Sequence, residues 1–206
     1  MTDAASGPGE AVRDQPDPGG TAAYAALRAD AVRVLSGWVA PDTRQERLRL
    51  GYLAHLATHA DGAARTGPPE HLTASCLVLD HTGGRVLLTL HRLANAWFQL
   101  GGHLEASDTS VWAAARREAR EESGIDTLEP LPHPVQLDRH RLVGSFGTCR
   151  EHLDLRYAAA AAEGARAGVS AESHDVRWWP VDALPAGTRT ALGPLVSLAR
   201  DALGLG

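Results

Sequence analysis

Three glutamates on one helical face constrain this chain more than any other feature. The stretch from Gly102 to Ile125 reads GHLEASDTSVWAAARREAREESGI. A helix turns by about 100° per residue, so Glu118, Glu121 and Glu122 project from a common face. Like charges at i,i+4 repel and cost a helix stability. A cation must offset that cost. Clustered carboxylate oxygens are hard donors of the kind that Mg2+ and Mn2+ prefer.

The same stretch carries a longer pattern. Gly102 opens it, Arg117-Glu118 and Glu121-Glu122 form two charged pairs, and Gly124-Ile125 closes it. It resembles the Nudix box, G-x5-E-x7-R-E-U-x-E-E-x-G-U, where U is aliphatic. Three positions depart from that pattern. Asp108 stands in place of the early Glu, eight residues instead of seven separate it from Arg117, and Ala119 fills the first aliphatic position. The extra residue falls near the loop-to-helix junction and leaves the carboxylate spacing intact.

The surroundings agree with the resemblance. Leu72–Asp80 and Arg85–Arg92 alternate as strands around a turn at His81–Gly84. Val176–Pro185 reads as a strand and turn closing a sheet. The resemblance extends over about residues 71–190. It implies a Nudix-type α/β/α sandwich with a mixed β-sheet, preceded here by an N-terminal helical extension. It also implies that Glu118, Glu121, Glu122 and the Gly101 carbonyl hold Mg2+ or Mn2+. Arg117 would orient the glutamates, and Glu105 would lie near metal or substrate. Gly101 and Gly102 would let the backbone approach a ligand closely.

Outside this region the chain divides readily. Residues 1–20 are rich in Gly, Pro, Asp and Ala and are expected to form a disordered tail. Residues 21–65 hold two amphipathic segments: Tyr24, Leu27, Ala31, Val34, Leu35 and Trp38 repeat at helical spacing, as do Leu48, Tyr52, Leu56 and His59. Pro41-Asp42-Thr43 separates them and supplies a cap. These helices are expected to pack on the following domain, to make a dimer interface or to cover the site. Gly62–Pro69 reads as a linker, and residues 70–206 as the Nudix domain. Val135–Phe146 and Arg150–Ala159 read as paired strands, and Thr188–Leu203 as an amphipathic helix. On the second of these strands His152, Asp154 and Arg156 share one face, and Leu153, Leu155 and Tyr157 the other. The polar face is expected either to hold a phosphate or base or to be the wet side of a half-buried strand. His91 is a further substrate-binding candidate beside Glu105 and this triple.

A net charge of −5 and a pI near 6.0 argue against duplex nucleic acid as a partner, since phosphate backbones select basic surfaces. A bound cation still permits a nucleotide. Two cysteines make no disulfide scaffold, and Cys76 reads as a core position, so a reducing cytoplasm is expected. The N-terminus lacks the basic start and apolar core of a signal peptide, and no apolar run approaches a membrane span.

The reaction that the resemblance implies is hydrolysis of a diphosphate in a nucleoside diphosphate linked to another moiety. Metal ions neutralise phosphate charge and orient an attacking water. For the general base, Glu172 on the loop before Trp178 is the leading candidate, Asp175 the second, and Glu121 the reserve. The marks of ADP-ribose, diadenosine-polyphosphate and NADH specialists are absent around Arg139-His140-Arg141. Nucleoside triphosphates, nucleotide sugars and other diphosphates stay open as substrates. Two other readings remain: a nucleotide-sensing Nudix-like module without catalysis, and an isomerase of the isopentenyl-diphosphate type, which needs a reactive Cys. A homodimer is also expected to be possible.

Overall fold

Side-chain alternation along Glu70–Leu79 (β1) organises the protein, because the two faces of this central strand meet different layers. In the computed structural model, residues 18–92, 95–142, 148–169, 173–186, 188 and 190–206 are described. Two helices come first, Pro18–Gly37 (α1) and Thr43–Thr58 (α2). After β1 follow Arg85–His91 (β2), Ala96–Phe98 (β3), Leu100–His103 (β4) and the helix Val111–Ser123 (α3). Gln136–Arg141 (β5), Glu151–Ala160 (β6), Ser173–Pro180 (β7) and Leu192–Leu203 (α4) complete the described elements.

The strands make one mixed sheet in the order β3-β2-β1-β6-β5, with β4 also pairing β1 and β7 pairing β2. The β1–β6 pair is parallel, and the remaining pairs are antiparallel. Leu72, Ala74, Leu153 and Leu155 pack on one face with Leu104, Val111, Ala114 and Ala115 of the α3 region. On the other face Leu77, Leu79, Val86, Leu88 and Ala158 meet Leu192, Leu195, Val196 and Ala199 of α4. This is the expected α/β/α sandwich.

The N-terminal helices extend the first of these cores. Leu27, Ala31, Leu35, Tyr52 and Leu56 are buried in the same cluster as Leu72 and Val111. Packing is therefore how their apolar faces are used, and those residues are not free to form a dimer contact. Asp42 caps α2 by accepting from the Gln45 backbone N–H at 2.8 Å. Gln45 itself is buried, donating to the Leu137 carbonyl at 3.0 Å and accepting from the Leu137 N–H at 2.7 Å. It satisfies both backbone groups of Leu137 on the open side of β5, the terminal strand of the sheet. Asp30 of α1 reaches the first residue of α3, accepting from the Val111 N–H at 2.9 Å.

Several boundaries differ from expectation. α1 begins at Pro18, inside the stretch expected to be a tail; the residues before it lie outside those described. Gly62–Pro69 is no loose linker: Ala63 and Ala64 are buried, and the Gly62 carbonyl accepts from the Leu72 N–H at 2.9 Å. Small side chains let these turns sit against the core. β5 ends at Arg141, and residues 143–146 of the longer predicted strand lie outside those described.

Asp80 pins the β1–β2 turn. Its carboxylate accepts from the Thr82 hydroxyl, the Gly84 and Arg85 N–H groups and the Arg85 guanidinium, at 2.9 to 3.2 Å. Burial works against its charge, but the donors of Arg85, Thr82 and Gly84 outweigh it and hold the carboxyl down to about 2. A depressed folded pKa gives stability that is present above the unfolded value of about 3.9. That stability is lost as pH falls through about 2. Asp80→Asn is therefore expected to lower stability by about 1–3 kcal/mol at neutral pH. Its melting temperature should converge on that of the wild type as pH falls below about 4. A gap that stays constant with pH in melting curves would refute the assignment.

Candidate active site

Ser110 starts α3 by accepting from the Ala113 N–H at 3.0 Å, and Gly124 ends it in the left-handed region at φ 68°. The three glutamates face different surroundings along this helix. Glu122 is buried, and its Oε2 accepts from the Gly101 N–H at 2.8 Å. The Glu118 side chain is 13% exposed and that of Glu121 61%. The Arg117 Nη1 donates to Glu118 Oε1 at 3.0 Å and to Glu121 Oε2 at 3.1 Å, so one cation serves both carboxylates.

Two glycines make room for this arrangement. A Cβ at Gly102 would stand 2.6 Å from Glu118 Oε1, and one at Gly101 would stand 2.4 Å from the Ser75 Cβ. Any side chain here would push β4 away from β1 or from the carboxylates.

Asp108 reaches Arg117 despite its short side chain. The pair is bidentate, Nε to Oδ1 at 3.0 Å and Nη2 to Oδ2 at 3.1 Å. Asp108 Oδ2 also accepts from the Glu105 N–H at 2.8 Å, which folds the preceding loop over it. Arg117 Nη2 donates further to the His103 carbonyl at 3.0 Å. Burial works against the guanidinium charge, but its hydrogen bonds to Asp108 and the charge of Glu118 outweigh that and raise its pKa. Glu105 stands at the rim, accepting from Ser107 at 3.2 Å and lying 3.7 Å from Arg117 Nη1. An open recess beside α3 is lined by Asp108, Arg116, Arg117, Arg120 and Glu121.

The polar face of β6 is not wet, which corrects one of the two expectations for it. Asp154 and Arg156 are each 3% exposed. Asp154 accepts from the Thr73 and Ser75 hydroxyls at 3.2 and 2.8 Å, from Gln99 at 3.3 Å and from Arg156 at 3.1 Å. Arg156 also donates to Gln136 at 2.9 Å and Asp138 at 2.8 Å. Direct contact with a substrate would break this network, so its geometry suits positioning. Sequence reasoning missed Gln136, Asp138, Thr73 and Ser75. The signal was available in the alternation His71-Thr73-Ser75, which puts three polar side chains on one face of β1.

His152 lies farther along the polar face of β6, opposite His71 on β1 and His140 on β5. Its ring is 4.9 Å from that of His103 and 5.4 Å from that of His71. His91 closes β2, opposite Ala96 and Ser173, with its ring edge-on to Phe98 at 6.2 Å. Asp175, on β7, pairs with Arg177 at 2.6 Å. Glu172 lies outside the described residues.

The NUDIX domain family profile matches residues 69–198. The chain belongs to the Nudix hydrolases. Its reaction is hydrolysis of a diphosphate bond. Among solved structures it resembles a NUDIX-family hydrolase of Clostridium perfringens at 25% identity and TM-score 0.52, covering 65% of this chain and 97% of that one. A C. elegans Ap4A hydrolase complex matches at 18% identity and TM-score 0.52, over 65% and 97% of the two chains. The E. coli dihydroneopterin triphosphate pyrophosphohydrolase matches at 17% identity and TM-score 0.50, over 63% and 92%. These last two are similar in fold. No curated protein matches the chain. Among the described residues, no helix of this Nudix hydrolase is long and apolar enough to cross a membrane.

Proposed function

We propose that this Nudix hydrolase is a Mg2+- or Mn2+-dependent pyrophosphohydrolase of a nucleoside diphosphate linked to another moiety. The observation that carries this reading is Arg117 shared between Glu118 and Glu121, with Gly102 open against Glu118 and Glu122 held by Gly101. These oxygen donors fit the ion. Mg2+ usually takes one or two protein carboxylates with waters and substrate phosphates, so the three glutamates need not converge on one point. Glu118, Glu121, Glu122 and the Gly101 carbonyl would hold it. Bound there, the ion would neutralise phosphate charge and acidify a water.

The chain's own groups do the rest. Arg117 sets the carboxylate positions and lowers their mutual repulsion. Glu105 stands at the rim of the site, where a diphosphate or its water shell would enter. Asp154 and Arg156 support Gln99 and Ser75 beneath the strand that carries Gly101. His91 and His152 remain candidates for contacts to the moiety beyond the diphosphate. A carboxylate bound to a cation is a poor base, which favours a separate proton acceptor. Glu172 is that acceptor in this proposal, ahead of Asp175, with Glu121 next because it is the most exposed glutamate of α3.

The isomerase alternative requires a reactive thiol. Cys76 is fully buried, and burial raises its pKa, which opposes that chemistry. The sensing alternative is usually marked by loss of box carboxylates, and here all three remain.

Phosphate or pyrophosphate release from a panel of nucleoside triphosphates, nucleotide sugars, dinucleoside polyphosphates and dihydroneopterin triphosphate tests the proposal. Turnover of at least one class is expected, with Mg2+ or Mn2+ required. Binding without turnover across the panel would favour the sensor. On the active substrate, Glu172→Gln is expected to cut kcat at least about a hundredfold with little change in KM. Wild-type kcat in that variant would move the base to Glu121.

A further inference from the structure

A second cluster of donors lies on the opposite face of the sheet from α3. It is built by strand register and not by sequence proximity. His71 on β1 pairs with His152 on parallel β6. His103, at the end of β4, pairs with Thr73 on the other side of β1. Cys149 enters just before β6, where the Arg150 N–H donates to the Pro69 carbonyl at 2.9 Å and draws the two strand starts together. One ligand atom from each of these four residues lies within 4.8 Å of the other three. Among the described residues, this is the only group of three or more His, Cys, Asp and Glu side chains whose ligand atoms all lie this close to one another.

We propose that His71, His103, His152 and Cys149 bind one Zn2+ in a closed tetrahedral site, separate from the glutamates of α3. The donor set selects the metal. Imidazole nitrogens and a thiolate are borderline to soft ligands that suit Zn2+ and do not suit Mg2+. The spacing is close to what the ion requires. Cys149 Sγ stands 3.9 Å from His103 Nε2, against roughly 3.5 Å between a sulfur and a nitrogen on tetrahedral zinc.

His71 supplies an independent observation. Its Nδ1–H donates to the Pro68 carbonyl at 3.0 Å, which fixes the tautomer and leaves the Nε2 lone pair unprotonated. The residue is fully buried, and that Nε2 has no hydrogen-bond partner. A buried, unsatisfied nitrogen is costly, and a metal removes the cost. With four protein ligands the site has no open position for water, so its role is structural. It would tie β1, β4 and β6 together at the point where the His103 carbonyl accepts from Arg117.

The test uses the full chain purified without a polyhistidine tag. After incubation with Zn2+ and dialysis, about one tightly held Zn2+ per chain is expected by elemental analysis. Co2+ in its place should give the strong visible absorption of a tetrahedral ion and a thiolate-to-metal charge-transfer band. Cys149→Ser should remove that band, and His152→Ala should lower Zn2+ content at least tenfold. Glu122→Gln, which alters only the hydrolytic centre, should retain full Zn2+. Failure to bind Zn2+ in the wild type would overturn the proposal, as would a weak octahedral Co2+ spectrum without a thiolate band. Zn2+ lost in Glu122→Gln would likewise place the metal on α3. The wild-type spectrum decides even if the ligand variants do not fold, and it does not depend on whether a hydrolysis substrate is found.

Discussion

Glu122→Gln is expected to lower kcat by at least about a hundredfold, equivalent to about 2.7 kcal/mol of transition-state stabilisation. The substitution is clean because an amide oxygen can still accept from the Gly101 N–H, the bond that holds Glu122 at 2.8 Å in the wild type. Shape and burial are conserved, and only the charge is removed. Glu121→Gln should behave similarly, with even less effect on folding, because its side chain is largely exposed. Rigorous chelation should abolish turnover in the wild type, and added Mg2+ should restore it. Steady-state kinetics and melting curves on the same samples separate the possibilities. Wild-type kcat in both variants would remove the glutamates from the chemistry, and loss of folding would make them structural.

Arg117→Ala is expected to destabilise the protein by about 3 kcal/mol or more, the range for a buried ion left without its partner. The Asp108 side chain is 4% exposed, and its bidentate partner would be gone. Glu118 and Glu121 would also repel without their shared donor. Arg117→Lys should recover only part of the loss, since an ammonium cannot make the forked pair. Asp108→Ala should weaken stability and activity less, and Asp108→Glu should be tolerated. The double variant should be clearly more stable than the sum of the two alanine effects. Additive effects in chemical denaturation would show that the pair is not a coupled unit.

The parts of the fold that sequence revealed are those with a local cause. β1, β2, β6 and α3 follow from period-two and period-3.6 patterns, and the glycine-flanked carboxylate helix announces the active-site loop. Other features depend on partners distant in sequence. Nothing in Gly62–Pro69 says that Ala63 and Ala64 will be buried, because small residues become core only when another element closes over them. The wetness of the Asp154–Arg156 face was undecidable from β6 alone, since Thr73, Ser75, Gln99, Gln136 and Asp138 arrive from two other strands and the β3–β4 connection. Asp108 was legible as a departure from the Nudix pattern. That it still braces Arg117 depends on the loop that Asp108 itself folds through the Glu105 N–H. His71, His103, Cys149 and His152 span more than one third of the chain and meet only through strand register.

The amide of Gln45 also bears on the order of events while the chain is being made. Chains emerge from the ribosome N-terminus first. α1 and α2 are therefore available before Gln136–Arg141 has been synthesised. When β5 pairs with β6 it becomes the terminal strand of the sheet, and an exposed edge invites pairing with a neighbouring chain. Gln45 already offers the donor and acceptor that Leu137 needs, at 3.0 and 2.7 Å. At Leu137 the edge can thus be capped from within the same molecule as soon as it forms. A neighbouring chain that approached β5 at Leu137 would find both backbone groups already taken by α2.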